Sequence, residues 1–264
     1  MVGGERERRA RSFGGVADAY ERARPEYPRE AAAWITAGAH AVLDLGAGTG
    51  KLTRVLVALG LDVVAVEPSE RMAIFLREAV PAAQVHAGAA EAIPLPGASV
   101  DAVVAGQAFH WFDPVRALPE IARVLHPGGR IGLVWNVRDG RVPWVARLSA
   151  LLGAEAWEAT PHDVLDASGL FGPTETAEFE HQQSLDRQAL LDLVVSRSNV
   201  AIRDAAGRAD VLAAVGRLFD ETASGGKRPR GSHSPREKGT KGPKAQRKAK
   251  RVRGPKRRRR REGD

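Results

Sequence analysis

Val42-Leu43-Asp44-Leu45-Gly46-Ala47-Gly48-Thr49-Gly50, running on into Lys51-Leu52-Thr53, is the stretch that decides the fold. Its first residues belong to the apolar run 41–45 (AVLDL), the pattern of a strand buried on both faces. Glycines at 46, 48 and 50 let the chain turn sharply and let a ligand approach the backbone, because no Cβ stands in the way. Beyond them Leu52, Val55, Leu56 and Leu59 recur on one helical face, and Gly60 supplies a C-terminal cap. A second apolar run at 61–67 (LDVVAVE) completes a strand-helix-strand unit.

The same alternation continues outward. Ser69 is a cap for a helix that turns Met72, Phe75, Leu76 and Ala79 inward, and a short strand follows at 84–87. Residues 100–105 (VDAVVA) and 130–135 (RIGLVW) read as fourth and fifth strands. Between them Asp113-Pro114 makes a cap and first-turn pair, but Pro119 falls where a helix interior would be. The expectation is a short turn at 114–118 and a helix starting at Pro119, burying Ile121, Val124 and Leu125 and stopped by Pro127-Gly128-Gly129. Further on, 143–152, 186–195 and 210–219 read as helices and 175–185 as a strand. This order predicts an α/β fold, a doubly wound and mostly parallel sheet.

With 264 residues, 43% of them apolar, the chain can bury one substantial core. It has no cysteine, which excludes disulfides, cysteine-ligated zinc or iron–sulfur clusters and a thiol nucleophile. His162, His181 and His233 show no ligand spacing, so no metal site is expected. No run reaches the roughly 18 to 20 apolar residues of a membrane span, and the N-terminus is rich in arginine and glutamate rather than secretory. A soluble, cytoplasmic protein is expected. The net charge of +8 conceals two halves: residues 222–264 hold 18 Lys+Arg against 3 Asp+Glu (+15), leaving 22 against 29 (−7) for residues 1–221. The basic stretch has no aromatic residue, and its only apolar side chains are Ala223, Ala245, Ala249 and Val252, so it is expected to be disordered.

Two ligands compete for the glycine turn. Dinucleotide enzymes use G-x-G-x-x-G, whereas the spacing here is G-x-G-x-G with Asp44 two residues before it. A carboxylate there repels a pyrophosphate and suits an amino group or a sulfonium. Glu67, at the end of the second strand, can accept hydrogen bonds from both ribose hydroxyls. A nucleoside with a cationic tail therefore fits better than NAD(P), and an NAD(P)-dependent oxidoreductase is disfavoured.

VLDLGAGTGKLT at 42–53, VVAVEPSERM at 63–72, GAAEAIPLPGASVDAVVAGQAFHWFD at 88–113 and EIARVLHPGGRIGLVW at 120–135 together resemble, in family order, a class I S-adenosylmethionine-dependent methyltransferase of the small-molecule type. The AFHWF element, the YERARPEYP arm and SRSNV at 196–200 are similar to the branch containing trans-aconitate methyltransferase. The resemblance implies a Rossmann-like fold with S-adenosylmethionine as cofactor. It also implies that Gly46, Ala47, Gly48 and Gly50 line the methionine moiety, with Asp44 near its amino group. Glu67 would hold the ribose, Ala90 and Glu91 would edge the adenine, and Gln107 and Phe109 would face the cofactor where methyl transfer occurs.

His110 is the best-placed candidate base if the acceptor is a hydroxyl or amine; otherwise it is a structural histidine beside Trp111. Phe109, Trp111 and Phe112 offer aromatic faces to a sulfonium, and Tyr20, Arg24 and Tyr27 are candidates to close over the cofactor or meet an anionic substrate. The expected organisation is an N-terminal arm at 1–30, a single methyltransferase domain at 31–221 (core 38–140, substrate-side helices and strand 141–221) and the disordered basic tail at 222–264. Members of the resembled family continue into a final strand, so this sheet is expected to lack its last strand, the tail being the product of a shifted reading frame. The function implied is methyl transfer to a small molecule at a carboxylate or hydroxyl oxygen. The alternative is an RNA or nucleic-acid methyltransferase or binding protein that uses the tail.

Overall fold

The computed structural model of the chain describes residues 21, 24–153, 161–197, 200, 203–224 and 244–253. Five of the six predicted strands form the first part of the sheet: β1 (Ala41–Leu45), β2 (Asp62–Glu67), β3 (Gln84–Ala87), β4 (Val100–Gly106) and β5 (Leu125–Arg138). They pair in parallel in the order β3-β2-β1-β4-β5. The chain steps outward from β1 to β2 and β3, then returns to β1's other side as β4. That reversal creates a switch point beside β1, where open parallel sheets bind ligands.

Helices α1 (Arg29–Ile35), α2 (Lys51–Ala58) and α3 (Glu70–Ala79) cover this sheet. Ala31, Ala32, Ile35, Leu52 and Leu56 form one buried cluster with Val42, Val63, Ala102, Val104 and Val134 of the strands. Leu76 and Val80 bury Ala65 in another cluster. Each fully buried Val, Leu or Ile side chain in these clusters contributes about 1.5–3 kcal/mol. Asp101 ties the opposite, amino ends of the strands together. Its Oδ2 accepts from the main-chain N–H groups of His40 (2.8 Å) and Ala41 (2.9 Å), and its Oδ1 lies 3.0 Å from His126 Nδ1. Those N–H groups hold its carboxyl below the usual carboxylate range.

Three findings correct the expectations from sequence. Helix α4 spans Pro114–Val124 and passes through Pro119 instead of starting there. Asp113 caps it by accepting from Val115 N–H at 3.1 Å, while Ala117, Leu118, Ile121 and Val124 are buried. One lost main-chain hydrogen bond in the second turn, near exposed Val115, is outweighed by that cap and that apolar face. Strand β5 begins at Leu125, so Pro127-Gly128-Gly129 lies within it, at a register shift against β4. The last correction is at the end of the sheet. Strands β6 (Thr174–Gln182) and β7 (Lys244–Arg253) extend the order to β5-β7-β6, so a final strand is present. Strand pairing is made by main-chain groups, which Lys and Arg carry as well as Val does. Of the tail expected to be disordered, 222–224 end a helix and 244–253 form β7; its other residues lie outside the described ones.

The described residues fall into two compact units: 26–136 with 161–179 and 248–253, and 137–153 with 180–197, 200, 203–224 and 244–247 plus residues 21, 24 and 25. In the second, α5 (Pro143–Leu152), α7 (Arg187–Val195) and α8 (Ala205–Ser224) share a core of Leu148, Leu152, Leu190, Val194, Val211, Val215 and Leu218. A further helix, α6 (Pro161–Ser168), has no counterpart in the sequence expectations. Among the described residues no helix is long and apolar enough to cross a membrane. Because the Asp113 cap offsets Pro119, Asp113→Ala should lower stability by about 1 kcal/mol in urea unfolding, with an unchanged slope. An unchanged midpoint would show that the cap contributes nothing.

Candidate functional site

The glycine turn leaves β1 and leans onto the end of β2: Gly46 N–H and Ala47 N–H both donate to Val66 C=O, at 2.8 and 3.2 Å. Gly46, Gly48 and Gly50 have φ of +70°, +59° and +89°. The three are not equivalent. A Cβ on Gly46 would sit 2.7 Å from Ala108 Cβ, and one on Gly50 would overlap Leu76 Cδ1. At Gly48 the nearest atom is Met72 Sδ at 4.0 Å. Packing therefore demands glycine at 46 and 50, whereas at Gly48 a Cβ would make only an ordinary contact among the described residues.

Two carboxylates flank the turn. Asp44 is fully buried, and its Oδ2 accepts from Thr53 Oγ1 at 2.6 Å. Its Oδ1 has no hydrogen-bond partner among the described residues, and the same holds for buried Thr49 Oγ1. Burial pushes the Asp44 carboxyl up to about 7, with the Thr53 hydroxyl opposing and the negative charge of Glu67 adding to the rise. Glu67 is also buried. Its Oε2 accepts from Gly48 N–H at 2.8 Å and its Oε1 from Ser69 N–H at 2.9 Å. Burial raises its carboxyl too, against the pull of those two N–H groups.

Beyond β3, Ala90 is buried within a narrow bridge between Ala89 and Ala92, and Glu91 Oε1 accepts from Asp113 N–H at 2.7 Å. Beyond β4, Gln107 is held at φ +58°, a left-handed conformation that costs a non-glycine residue about 1–3 kcal/mol. Its N–H donates to Val134 C=O at 2.9 Å and its Nε2 to Asn136 C=O at 3.0 Å, which fixes it on β5. A short 3-10 turn follows at Phe109–Trp111. Phe109 is buried edge-to-face against Phe112 at 5.8 Å, and Phe112 in turn packs over Gly46. The half-buried His110 and Trp111 rings pack on each other at 4.6 Å.

Of the arm, Tyr27 is buried with its phenol against Gly106 at the carboxyl end of β4, where a Cβ would lie 2.7 Å from the hydroxyl oxygen. Arg24 donates to Ser196, through Nε to Oγ and through Nη2 to C=O, both at 3.0 Å. Tyr20 lies outside the described residues. Sequence reasoning missed three contributors: Thr53 on Asp44, Asn136 on Gln107, and Glu26, which accepts from Lys51 at 3.0 Å and Arg54 at 2.9 Å. Lys51, the single lysine of residues 1–221, was the available signal for Glu26.

A carboxyl whose folded pKa exceeds its unfolded one binds its proton more tightly when folded. The stability it allows is complete below the unfolded value of 3.8 and is lost as pH rises through about 7. Between those limits unfolding free energy should fall by on the order of 4 kcal/mol through Asp44. Asp44→Asn should flatten this slope in urea unfolding across pH 4–8 (roughly the titration window). A variant that keeps the wild-type slope would contradict the assignment.

Comparison with known proteins follows the same lines. Residues 43–133 match the family model of a methyltransferase domain. An uncharacterized methyltransferase of Mycobacterium tuberculosis is 49% identical over 209 residues, 79% of this chain and 85% of the relative. A malonyl-[acyl-carrier protein] O-methyltransferase of Pectobacterium atrosepticum is 33% identical over 175 residues, 58% of this chain and 66% of the relative. Among solved structures, a protein of Anaeromyxobacter dehalogenans assigned as a type II methyltransferase superposes with a TM-score of 0.59 at 26% identity, covering 88% of this chain and 97% of that one. The order of motifs around a glycine turn, the parallel sheet and these relatives agree. The chain belongs to the class I S-adenosylmethionine-dependent methyltransferases.

Proposed function

We propose that this methyltransferase methylates a small molecule at an oxygen, a carboxylate or a hydroxyl. The observation that carries the cofactor half of this reading is the pair of buried carboxylates, Asp44 and Glu67, at the ends of β1 and β2. The residues fit the cofactor. Asp44 Oδ1, buried and without a partner among the described residues, offers an acceptor for the amino group. Each Glu67 oxygen accepts one main-chain N–H and keeps capacity for a ribose hydroxyl. The main chain of Gly46, Ala47, Gly48 and Gly50 would face the methionine portion, and Ala90 and Glu91 would edge the adenine.

When bound, the cofactor supplies a methyl already activated by its sulfonium. The chain then has to align the acceptor at about 3–3.5 Å and exclude water. Gln107 and Phe109, fixed beyond β4, would form the wall beside the reacting centre, with Tyr27 and Trp111 bordering the acceptor. A carboxylate acceptor needs no base; a hydroxyl would give its proton to His110. The O-methyltransferase name of the Pectobacterium relative supports oxygen as the acceptor atom.

Glu67→Ala should weaken S-adenosylmethionine binding by about 1–3 kcal/mol in calorimetric titration, and an unchanged affinity would refute the ribose role. Transfer of labelled methyl to a panel of carboxylic acids, alcohols and amines tests the acceptor. Labelling of acids or alcohols is expected, and labelling confined to amines would overturn the oxygen reading. With an acid as acceptor, His110→Ala should leave the rate nearly unchanged; with an alcohol it should lower it about 10²–10⁴-fold.

The +15 charge of residues 222–264 favours a second reading, binding of nucleic acid. Since β7 occupies Lys244–Arg253, the appropriate truncation removes only 254–264. Loss of a steeply salt-dependent RNA affinity on that truncation would support it, and no such affinity in the full chain would exclude it.

A further inference from the structure

The segment between β3 and β4 carries Ala90 and Glu91, and α4 holds it by a device outside the cofactor residues. Arg123 pairs side-on with Glu120, Nε to Oε1 at 2.7 Å and Nη2 to Oε2 at 2.8 Å. The same guanidinium donates to two main-chain carbonyls, Nη1 to Leu95 at 2.8 Å and Nη2 to Ile93 at 2.9 Å. Glu120 Oε2 meanwhile accepts from Ile93 N–H at 2.9 Å, so Ile93 is held at both its N–H and its carbonyl. Arg123 C=O accepts from Ala98 N–H at 2.9 Å, and Ala98 sits at φ +50°. Between these anchors Pro94 fills the space beside Gly88, where a Cβ would come within 2.9 Å of Pro94 Cδ.

The Glu120 and Arg123 side chains remain 25% and 38% exposed, and ion pairs that open to water contribute little to stability. Their geometry is more specific than that role requires. The four donor directions of one planar group are spent on one carboxylate and two loop carbonyls, an arrangement an ammonium cannot reproduce. We infer that the Glu120–Arg123 pair positions the Ala90–Glu91 end of the cofactor site and thereby sets recognition of the adenine base. This rests on the cofactor reading given above.

The test is titration of the full-length protein with S-adenosylhomocysteine and with its inosine counterpart, in wild type, Arg123→Ala, Arg123→Lys and Glu120→Gln. Arg123→Ala should weaken S-adenosylhomocysteine at least tenfold and shrink the preference for the adenine ligand by a similar factor. Arg123→Lys should recover only a minor part of either. Glu120→Gln should shift both in the same direction and decides the matter if Arg123→Ala fails to fold. Folded variants whose affinity and base preference stay within twofold of wild type would overturn the inference alone. Wild-type protein that binds neither ligand would overturn the cofactor reading beneath it.

Discussion

Two acidic side chains are buried at the carboxyl ends of adjacent strands, and the rest of the site is arranged around keeping them there. Asp44 stands opposite Ala65 and Val104 in the interior of the sheet, and Glu67 ends the neighbouring strand. Buried like charges on neighbouring strands are unfavourable, and each proton taken up relieves the repulsion. The chain limits the cost locally. Thr53 caps one Asp44 oxygen, and the N–H groups of Gly48 and Ser69 cap both oxygens of Glu67. One Asp44 oxygen is left without a partner among the described residues. A bound cation would supply what that oxygen lacks, so the cost of burying it would be returned as affinity.

The glycines serve this constraint in two ways. Gly46 and Gly50 let the turn pack against Ala108 and Leu76, while Gly48 donates its N–H to Glu67. The strained Gln107 makes the corresponding corner beyond β4, tied to β5 through Val134 and Asn136. At the far ends of β1 and β4 Asp101 pins the strands, so the corner residues stand on a fixed base.

The sheet was legible because buried parallel strands are continuous apolar runs, as in 41–45, which form a strand over those limits, and in the largely buried β4. Asp44, Glu67 and the glycines were legible for a related reason, since their chemistry conflicts with a strand interior or a helix start. Other features were not. Pro119 reads locally as a helix boundary, and only the buried face of α4 overrides it. β7 was illegible because a lysine- and arginine-rich stretch carries none of the side-chain signal that marks a strand. Arg123 acts on carbonyls 28 and 30 residues away, a partnership that no spacing rule reports. Tyr20 was a candidate from sequence on which the described residues are silent.

The account depends on Asp44 meeting a cation, and its raised pKa gives that meeting a signature. At pH 6 (about one unit below the value near 7) the free protein holds Asp44 mostly protonated. Binding a positively charged cofactor there should expel that proton. Titration calorimetry with S-adenosylmethionine, in buffers of different ionisation enthalpy, measures the expulsion directly. The account predicts release of close to one proton by the wild type and none by Asp44→Asn. Binding with no buffer dependence in the wild type would contradict it.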